Sequence, residues 1–213
     1  MKATFVFDFD GTIADTFPLV VDISYQLSGG AQRLATKRIE SLRRLPLLEA
    51  IRALKLRRRY LPRLILFTRR RMRPYMADVA SFEGVPEMIK ALHAEGHQLF
   101  ILSSNTSGNI QIFLESHGLT DYFTDTATVY YGSVFYKIFG LRKLLKRYKL
   151  RRNECYYVGN EPLDIQAAER AGLHAIAVTW SGQSPEELAC AEPDSMAKTP
   201  NDIVKLAQGL SWK

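Results

Sequence analysis

The stretch from Phe5 to Asp15 constrains this chain more than any other, because it places two carboxylates directly after a buried strand. Ala3 to Phe9 is a short run of β-branched and aromatic residues, which predicts a strand. Asp8 and Asp10 point the same way in an extended chain, since strand side chains alternate with a period of two. Gly11 then allows a sharp turn. Buried carboxylates are costly unless a cation or a reaction requires them. The competing interpretation is an Asp pair that caps the next helix.

Size and composition are those of an ordinary globular protein. A chain of 213 residues, 46% apolar and 24% charged, fits one domain or one domain with a modest insertion. No apolar run approaches the roughly 20 residues that span a bilayer, and the N-terminal residues do not form a signal peptide. Cys155 and Cys190 are predicted to be reduced thiols, so we expect a cytoplasmic location.

Charge divides the chain into two unequal parts. Residues 33–73 hold 15 Lys and Arg against two Glu, a local balance of +13 within a net charge of +7. The same region has leucines and isoleucines at about helical spacing, and no strand is predicted between residues 16 and 80. We therefore predict a helical, strongly basic insertion at 16–83 and an α/β core formed by 1–15 and 84–213.

From residue 84 onward, helical and strand patterns alternate. Strands are predicted at 98–102, near 122–129, at 155–158 and at 175–179, each separated from the next by a helical stripe. Such alternation predicts a Rossmann-like, doubly wound parallel sheet with helices on both faces and a site at the carboxyl ends of the strands. The polar residues fall at those ends. They are Asp8 and Asp10, then Ser103, then Asn160 and Asp164.

Asp8-Phe-Asp-Gly-Thr12 resembles the first motif of the haloacid dehalogenase superfamily of phosphohydrolases, and Ala14-Asp15 continues its phosphoglycolate-phosphatase-like version. The resemblance covers residues 1–15 and about 84–213, whereas the insertion matches a family cap only in position and size. It implies that Asp8 is a nucleophile that forms an aspartyl-phosphate and that Asp10 is the general acid and base. It also implies that Mg²⁺ is held by the Asp8 carboxylate, the Asp10 backbone carbonyl and the fourth motif.

The second motif follows the strand at 98–102. Ser103 matches the hydroxyl that donates to the phosphoryl group, and Ser104 is the alternative register. The loop from Ser104 to Gly108 opens a helix, whose free N–H groups favour anions. The other interpretation is a plain N-cap. The predicted substrate-binding residues are Gly11, Thr12, Ser104 and Asn105.

The third and fourth motifs depart from the family pattern. Lys137 matches the lysine that neutralises phosphoryl charge, but Ile138 follows it where relatives have an acidic residue. The fourth motif reads Gly159-Asn-Glu-Pro-Leu-Asp164 where the family has Gly-Asp-x-x-x-Asp. Asn160 offers Mg²⁺ an oxygen without a charge, and Glu161 is an alternative carboxylate. Asp164 is predicted to bind the metal through a water or to orient Lys137.

Two functions follow from these patterns. The first is a Mg²⁺-dependent phosphatase for a small phosphate monoester, phosphoglycolate or one like a sugar phosphate, with the insertion as a cap that selects substrate. The alternative is a catalytically weakened protein of the same fold that binds RNA or an anionic membrane surface. In that hypothesis Arg57–Arg59 and Arg69–Arg71, which flank the apolar stretch Leu61–Phe67, contact the anionic partner. The patterns do not identify an oligomeric state.

Overall fold

The strands of the chain form a single six-stranded sheet in which every pair is parallel. The computed structural model describes residues 2–27, 29–30, 33–43, 45, 53–54, 61–129 and 133–209, with the side chains of 61–66 excepted. The strands are β1 (Thr4–Phe7), β2 (Gln98–Ser103), β3 (Asp125–Thr128), β4 (Cys155–Gly159), β5 (His174–Val178) and β6 (Ser195–Ala197). Their order is β3-β2-β1-β4-β5-β6. The predicted doubly wound α/β fold is confirmed.

Helices connect the strands and cover both faces of the sheet. The described α-helices are α1 (Phe17–Leu27), α2 (Thr36–Arg43), α3 (Leu61–Met72), α4 (Val85–Ala94), α5 (Ser107–Ser116), α6 (Val134–Tyr148), α7 (Pro162–Ala171), α8 (Pro185–Ala189) and α9 (Pro200–Gln208). A 3₁₀ helix at Arg73–Asp78 continues directly from α3. No helix in the described ranges is long and apolar enough to cross a bilayer.

The side chains of β1 alternate between two hydrophobic cores, as the period of a strand requires. Phe5 and Phe7 belong to a core that includes residues of α4, α5 and α9. Val6 belongs to a second core with residues of α6, α7 and α8. Because β1 is buried on both faces and lies between β2 and β4, the residues that follow it are reached by helices from both sides of the sheet.

The basic insertion contributes helices and a small core of its own. Its described part contains α1, α2 and α3 and no strand, and Val21, Ile39, Leu42 and Leu54 pack together as a separate cluster. Arg43, the last residue of α2, donates through both terminal nitrogens to Asp15, at 2.9 and 2.8 Å, and so ties the insertion to the turn after β1. Residues 46–52 and 55–60 lie outside the described residues, and the predicted boundaries at 15 and 84 stay a prediction.

One strand was not expected from the sequence. β6 has only three residues, Ser195 to Ala197, and pairs with β5 at the edge of the sheet. Serine, methionine and alanine are not strong strand formers, and a run of three shows no alternation to detect. β6 lengthens the sheet on the side away from β2 and leaves the predicted site in place.

Candidate active site

The predicted polar residues meet at one edge of the sheet. Asp8 and Asp10 follow β1, Ser103 ends β2, and Asn160 follows β4. Phe7 is in register with Ile101 on one side and Val158 on the other, so the three strand ends are neighbours. The backbone N–H of Asp8 donates to the Val158 carbonyl at 2.8 Å, which continues the pairing with β4 by one residue.

Lys137 joins this edge from α6. Its side chain is 2% exposed, and its ammonium nitrogen lies 3.1 Å from Oδ2 of Asp8 and contacts Oδ1 of Asp164. The Tyr157 ring lies beneath it, 5.9 Å from nitrogen to ring centroid, and the Tyr157 hydroxyl donates to the Leu102 carbonyl at 3.3 Å. Burial alone would lower the pKa of Lys137, but Asp164 and Asp8 outweigh it and hold that pKa well above its ordinary value. Lys137 is therefore a fixed buried cation.

Asp8 is a buried carboxyl group whose pKa is raised. Burial, with smaller contributions from the negative charges of Asp164, Asp10 and Glu161, raises the pKa of Asp8 to about 8 although Lys137 opposes the shift. The attraction of Lys137 thus does not outweigh the cost of burying the ionised Asp8 carboxylate. A further cation would stabilise its ionised form.

Asp10 is held by a side-chain amide from the neighbouring strand end. Asn105 Nδ2 donates to Oδ1 of Asp10 at 2.9 Å. Burial raises the pKa of Asp10 even though hydrogen bonds from Thr16 and Asn105 act in the opposite direction. A carboxyl group with a raised pKa keeps its proton nearer to neutral pH, which suits a proton donor.

The loop after β2 separates the two candidate serines. Ser103 is fully buried, and its hydroxyl accepts from the Asn105 backbone N–H at 3.0 Å. Ser104 Oγ instead accepts from Nη2 of Arg69 at 2.8 Å. Thr106 caps α5, because its side chain accepts from the Asn109 N–H at 3.3 Å. Both serines lie at the site, and their assignment to the phosphoryl group stays a prediction.

Asn160 sits against the turn that follows Asp10. Its Oδ1 accepts from the Thr12 hydroxyl at 3.3 Å, and Trp180 Nε1 donates to the Thr12 carbonyl at 3.1 Å. Gly11 has φ of +81°, a conformation that suits glycine, and a Cβ there would lie 2.4 Å from Asn160 Nδ2. The predicted substrate-binding residues Gly11 and Thr12 are thus fixed by the fourth motif.

Glu161 and Asp164 form a capping box at the start of α7, in which each side chain accepts from the other's backbone N–H. Asp164 Oδ2 accepts a hydrogen bond from the Glu161 N–H at 3.0 Å. Its other carboxylate oxygen, Oδ1, contacts the Lys137 ammonium. The predicted orienting contact between Asp164 and Lys137 is therefore present. Burial raises the pKa of Glu161, and Asp164 adds to the shift.

The donor atoms at this edge fit a hard, oxygen-seeking cation. Within the described residues no three His, Cys, Asp or Glu side chains are arranged to bind a metal by themselves. A site would therefore need the Asn160 amide oxygen and the Asp10 carbonyl in addition to Asp8 and Asp164. All of these donors are oxygens, two of them from carboxylates, and this donor set fits Mg²⁺. Each ligand assignment stays a prediction.

Sequence patterns missed two residues of the site. Arg69 was singled out only as part of a basic cluster, yet its guanidinium bonds Ser104 beside Asp10. Asn109 is buried in α5 and donates both to Asn105 Oδ1 and to the Arg69 carbonyl, each at 2.9 Å. Both contacts depend on how the insertion packs on α5, for which the local sequence carries no periodic signal.

Comparison with known proteins agrees with this geometry. Residues 5–178 match the family model of haloacid dehalogenase-like hydrolases, which covers most of the chain. The chain belongs to the haloacid dehalogenase-like hydrolase family and is a phosphatase of that family. The resemblance predicted from its first motif is confirmed.

Two curated relatives show how far the likeness extends. The phosphoglycolate phosphatase of Synechococcus elongatus is 31% identical over 208 residues, which are 96% of this chain and 97% of that protein. The phosphoglycolate phosphatase of Vibrio vulnificus is also 31% identical, but over 120 residues, 54% of this chain and 51% of that protein. The first likeness includes the insertion as well as the core.

Solved structures share the fold at lower identity. A haloacid dehalogenase-like family hydrolase from Streptococcus pneumoniae superposes with a TM-score of 0.75 at 17% identity, over 97% of this chain and 99% of that chain. A predicted phosphatase from Clostridium acetobutylicum gives 0.78 at 19% identity, over 99% and 100% of the two chains. At these identities the likeness establishes the fold.

Proposed function

We propose that this protein is a Mg²⁺-dependent phosphatase that hydrolyses a small phosphate monoester, phosphoglycolate or one like a sugar phosphate, through an aspartyl-phosphate intermediate. The observation that supports the proposal most is the arrangement around Asp8. Its carboxylate lies 3.1 Å from the Lys137 ammonium, beside a second carboxyl group, Asp10, that a buried asparagine orients. A nucleophile, a fixed cation and a proton donor thus share one edge of the sheet.

In the first half of the reaction a carboxylate oxygen of Asp8 attacks phosphorus. The bond from phosphorus to the leaving alcohol oxygen breaks, and Asp10 donates its proton to that oxygen. The raised pKa of Asp10 supports this role, because an ordinary aspartic acid would already be ionised near neutral pH. The products of this half are the free alcohol and phosphorylated Asp8.

In the second half Asp10 accepts a proton from a water molecule that attacks the same phosphorus. The bond between phosphorus and the Asp8 oxygen breaks, which restores the Asp8 carboxylate and releases inorganic phosphate. Asp10 ends protonated, as it began. Lys137 offsets negative charge on the phosphoryl oxygens throughout, and Ser103 donates to them in this proposal.

The predicted Mg²⁺ would be held by the Asp8 carboxylate, the Asp10 backbone carbonyl, Asn160 and Asp164. When bound, it would neutralise charge on the phosphoryl oxygens and hold Asp8 ionised at neutral pH. The pKa of Asp8 supports this need, since a carboxyl group with a pKa of about 8 is mostly protonated at pH 7. The chain's own contribution is to keep these oxygens in place through the Thr12 and Glu161 contacts.

The test is Asp8→Asn, assayed with and without Mg²⁺ on a panel of phosphorylated metabolites. The amide is nearly isosteric but a poor nucleophile, so turnover should disappear while circular dichroism and phosphate binding persist. Asp10→Asn serves as the matched variant, because it should slow turnover yet still accept the phosphoryl group on Asp8. Activity of Asp8→Asn at the wild-type level would exclude the mechanism.

The alternative function, an anionic partner bound through the basic insertion, gains no support from the described residues. Arg57–Arg59 lie outside them, and Arg69 faces the site. RNA or anionic-membrane binding therefore stays a prediction, testable by neutralising Arg57–Arg59 at low salt. The cytoplasmic location also stays a prediction.

A further inference from the structure

The backbone carbonyl of Thr12 is a buried acceptor that depends on a distant side chain. Thr12 is fully buried, and within the described residues no backbone N–H donates to its carbonyl oxygen. The donor is instead Nε1 of Trp180, at 3.1 Å, from a residue 168 positions away in the chain. A buried carbonyl group without a partner is costly. The Trp180 indole therefore supplies a hydrogen bond that the turn itself does not make.

The turn that contains Thr12 lies beside both candidate catalytic carboxyl groups. The Phe9 carbonyl accepts from three successive N–H groups, those of residues 12–14, at 3.3, 3.0 and 3.0 Å. Phe9 stands between Asp8 and Asp10 in the chain. A shift of the turn would therefore change the position of one carboxyl group relative to the other.

Thr12 joins this turn to the ends of two strands. Its hydroxyl donates at 3.3 Å to Asn160, which follows β4, and its carbonyl accepts from Trp180, which lies two residues after β5. Because β4 and β5 are adjacent and parallel, both contacts come from the edge of the sheet that carries the site. Trp180 thus adds a second strand end to the one that the fourth motif supplies.

The short strand β6 holds the loop that carries Trp180. The Thr179 N–H donates to the Ala197 carbonyl of β6 at 3.1 Å, and the Gly182 N–H donates to the Thr179 carbonyl at 3.4 Å. Thr179 directly precedes Trp180, so the pairing of β5 with β6 extends to the residue before the indole. The edge of the sheet is therefore connected to the turn after β1 through a single side chain.

The indole of Trp180 is not enclosed as a core side chain would be. It packs against the core that includes residues of α4, α5 and α9. It also borders a cavity of about 700 Å³ between α4 and α9, whose lining includes Phe82, Met88 and Val204. Side chains that only fill a core are surrounded on all sides. The hydrogen bond to Thr12, rather than close packing, thus accounts for the orientation of the ring.

Resting on the proposed function, we propose that Trp180 is a positioning residue for phosphoryl transfer. Its N–H holds the Thr12 carbonyl and so keeps the turn in the arrangement in which Asp8 and Asp10 face the same phosphoryl group. Trp180 touches neither the substrate nor the reacting atoms and acts through Thr12. Small displacements of reacting groups slow the chemical step strongly, so the loss of this contact affects kcat more than KM.

The experiment removes the indole N–H and keeps a ring at position 180. Trp180→Phe deletes the donor, and benzothienylalanine incorporated in place of Trp180 keeps two fused rings with sulfur where the N–H was. Both changes should lower kcat for 2-phosphoglycolate by about 10- to 100-fold and change KM by less than about 3-fold. The matched control is Val204→Ala, which truncates an apolar side chain at the same cavity. It should lower the melting temperature and change kcat by less than about 2-fold.

A second measurement does not depend on turnover. Hydrogen–deuterium exchange without metal should be faster in Trp180→Phe at residues 11–14 and unchanged in β2 and β4, because only the turn loses a contact. If the wild-type protein hydrolyses no phosphate ester, the proposed function fails, and this exchange pattern decides the positioning role separately.

Three results would overturn the inference. Wild-type kcat in the benzothienylalanine protein would show that the ring acts without its N–H. Unchanged exchange at residues 11–14 in Trp180→Phe would show that the turn does not depend on Trp180. A loss of kcat in Val204→Ala as large as that in Trp180→Phe would show that both changes act through stability alone.

Discussion

The side chain of Asn160 fills the space that a Cβ at Gly11 would occupy. The position of that Cβ lies 2.4 Å from Asn160 Nδ2 and 3.0 Å from Oδ1, closer than atoms can approach without movement. The turn after Asp10 and the residue after β4 are therefore fitted to each other. A residue that departs from the family pattern at position 160 is thus a packed part of the site.

Gly11→Ala should destabilise the fold and displace Asn160. The left-handed conformation at φ +81° costs about 1–2 kcal/mol for a residue with a Cβ, and the contact with Asn160 adds to it. Gly29→Ala is the matched control, since Gly29 has φ of +98° and no atom of the described residues lies within 4 Å of its Cβ position. Urea unfolding of both variants should show a larger loss for Gly11→Ala. Equal losses would mean that the contact contributes nothing.

Asn160→Asp should tighten Mg²⁺ binding by about tenfold, because the change adds a formal charge to an oxygen ligand. Thr12 can still donate to the new carboxylate. The measurement is activity against Mg²⁺ concentration, with the largest gain expected at limiting metal. Glu161→Gln tests whether the neighbouring carboxylate compensates in the native protein, and weaker binding is expected if it does. An unchanged Mg²⁺ dependence in Asn160→Asp would show that residue 160 is not a ligand.

The raised pKa of Asp8 predicts how metal-free stability changes with pH. The pKa of about 8 keeps the Asp8 proton bound in the folded form up to that pH, whereas the unfolded chain releases it near the ordinary aspartic acid value of 3.8. Stability is therefore lost as pH rises through this window, and each pKa unit corresponds to about 1.4 kcal/mol. Asp8→Asn removes this penalty, so its melting temperature without metal should rise relative to wild type between pH 5 and pH 8.

Two further observations bear on that pH prediction. Adding Mg²⁺ should raise the melting temperature of wild type more than that of Asp8→Asn, because the cation stabilises the ionised carboxylate. Lys137 keeps its charge across the window, so its state does not change the difference. A gap between the two proteins that stays constant from pH 5 to pH 8 would contradict the raised pKa.

Arg43 and Asp15 should behave as a coupled pair. Two hydrogen bonds, of 2.9 and 2.8 Å, join the Arg43 guanidinium to the Asp15 carboxylate. The Arg43 side chain is 13% exposed and the Asp15 side chain 24% exposed, so the pair is partly desolvated. Arg43→Gln should cost about 1–3 kcal/mol of unfolding free energy, and Arg43→Lys should recover little, because an ammonium cannot make the paired contact. A double-mutant cycle with Asp15→Asn measures the coupling. Additive effects of the two changes would show that the pair does not join insertion and core.

Much of the sheet follows from local patterns. β1, β2 and β4 are largely buried runs, and the polar residues that end them lie at one edge of the sheet once the strands are parallel. The sequence therefore predicts that Asp8, Ser103 and Asn160 share that edge, and the strand order makes them neighbours. The position of Lys137 came from the family resemblance, since a lysine on an amphipathic helix gives no other sign that it is buried.

The missed contacts share one physical origin. Asn109 with Arg69, and Arg43 with Asp15, join residues 40 and 28 positions apart through the packing of the insertion on the core. Neither pair repeats along a helix or strand, so periodicity cannot reveal it. The charge count shows that the insertion is basic, but an average over residues 33–73 does not show that one arginine at its end, Arg69, lies at the site.

The ring of Tyr157 beneath Lys137 makes ionic strength a probe that distinguishes the two cations of the site, Lys137 and Arg69. Lys137 is buried between that ring and the carboxylates of Asp8 and Asp164, so mobile ions do not reach it. Arg69 is only partly buried and opens toward solvent, where salt screens charges over about 8–10 Å. Rising salt should therefore screen the charge of Arg69 while the environment of Lys137 stays the same.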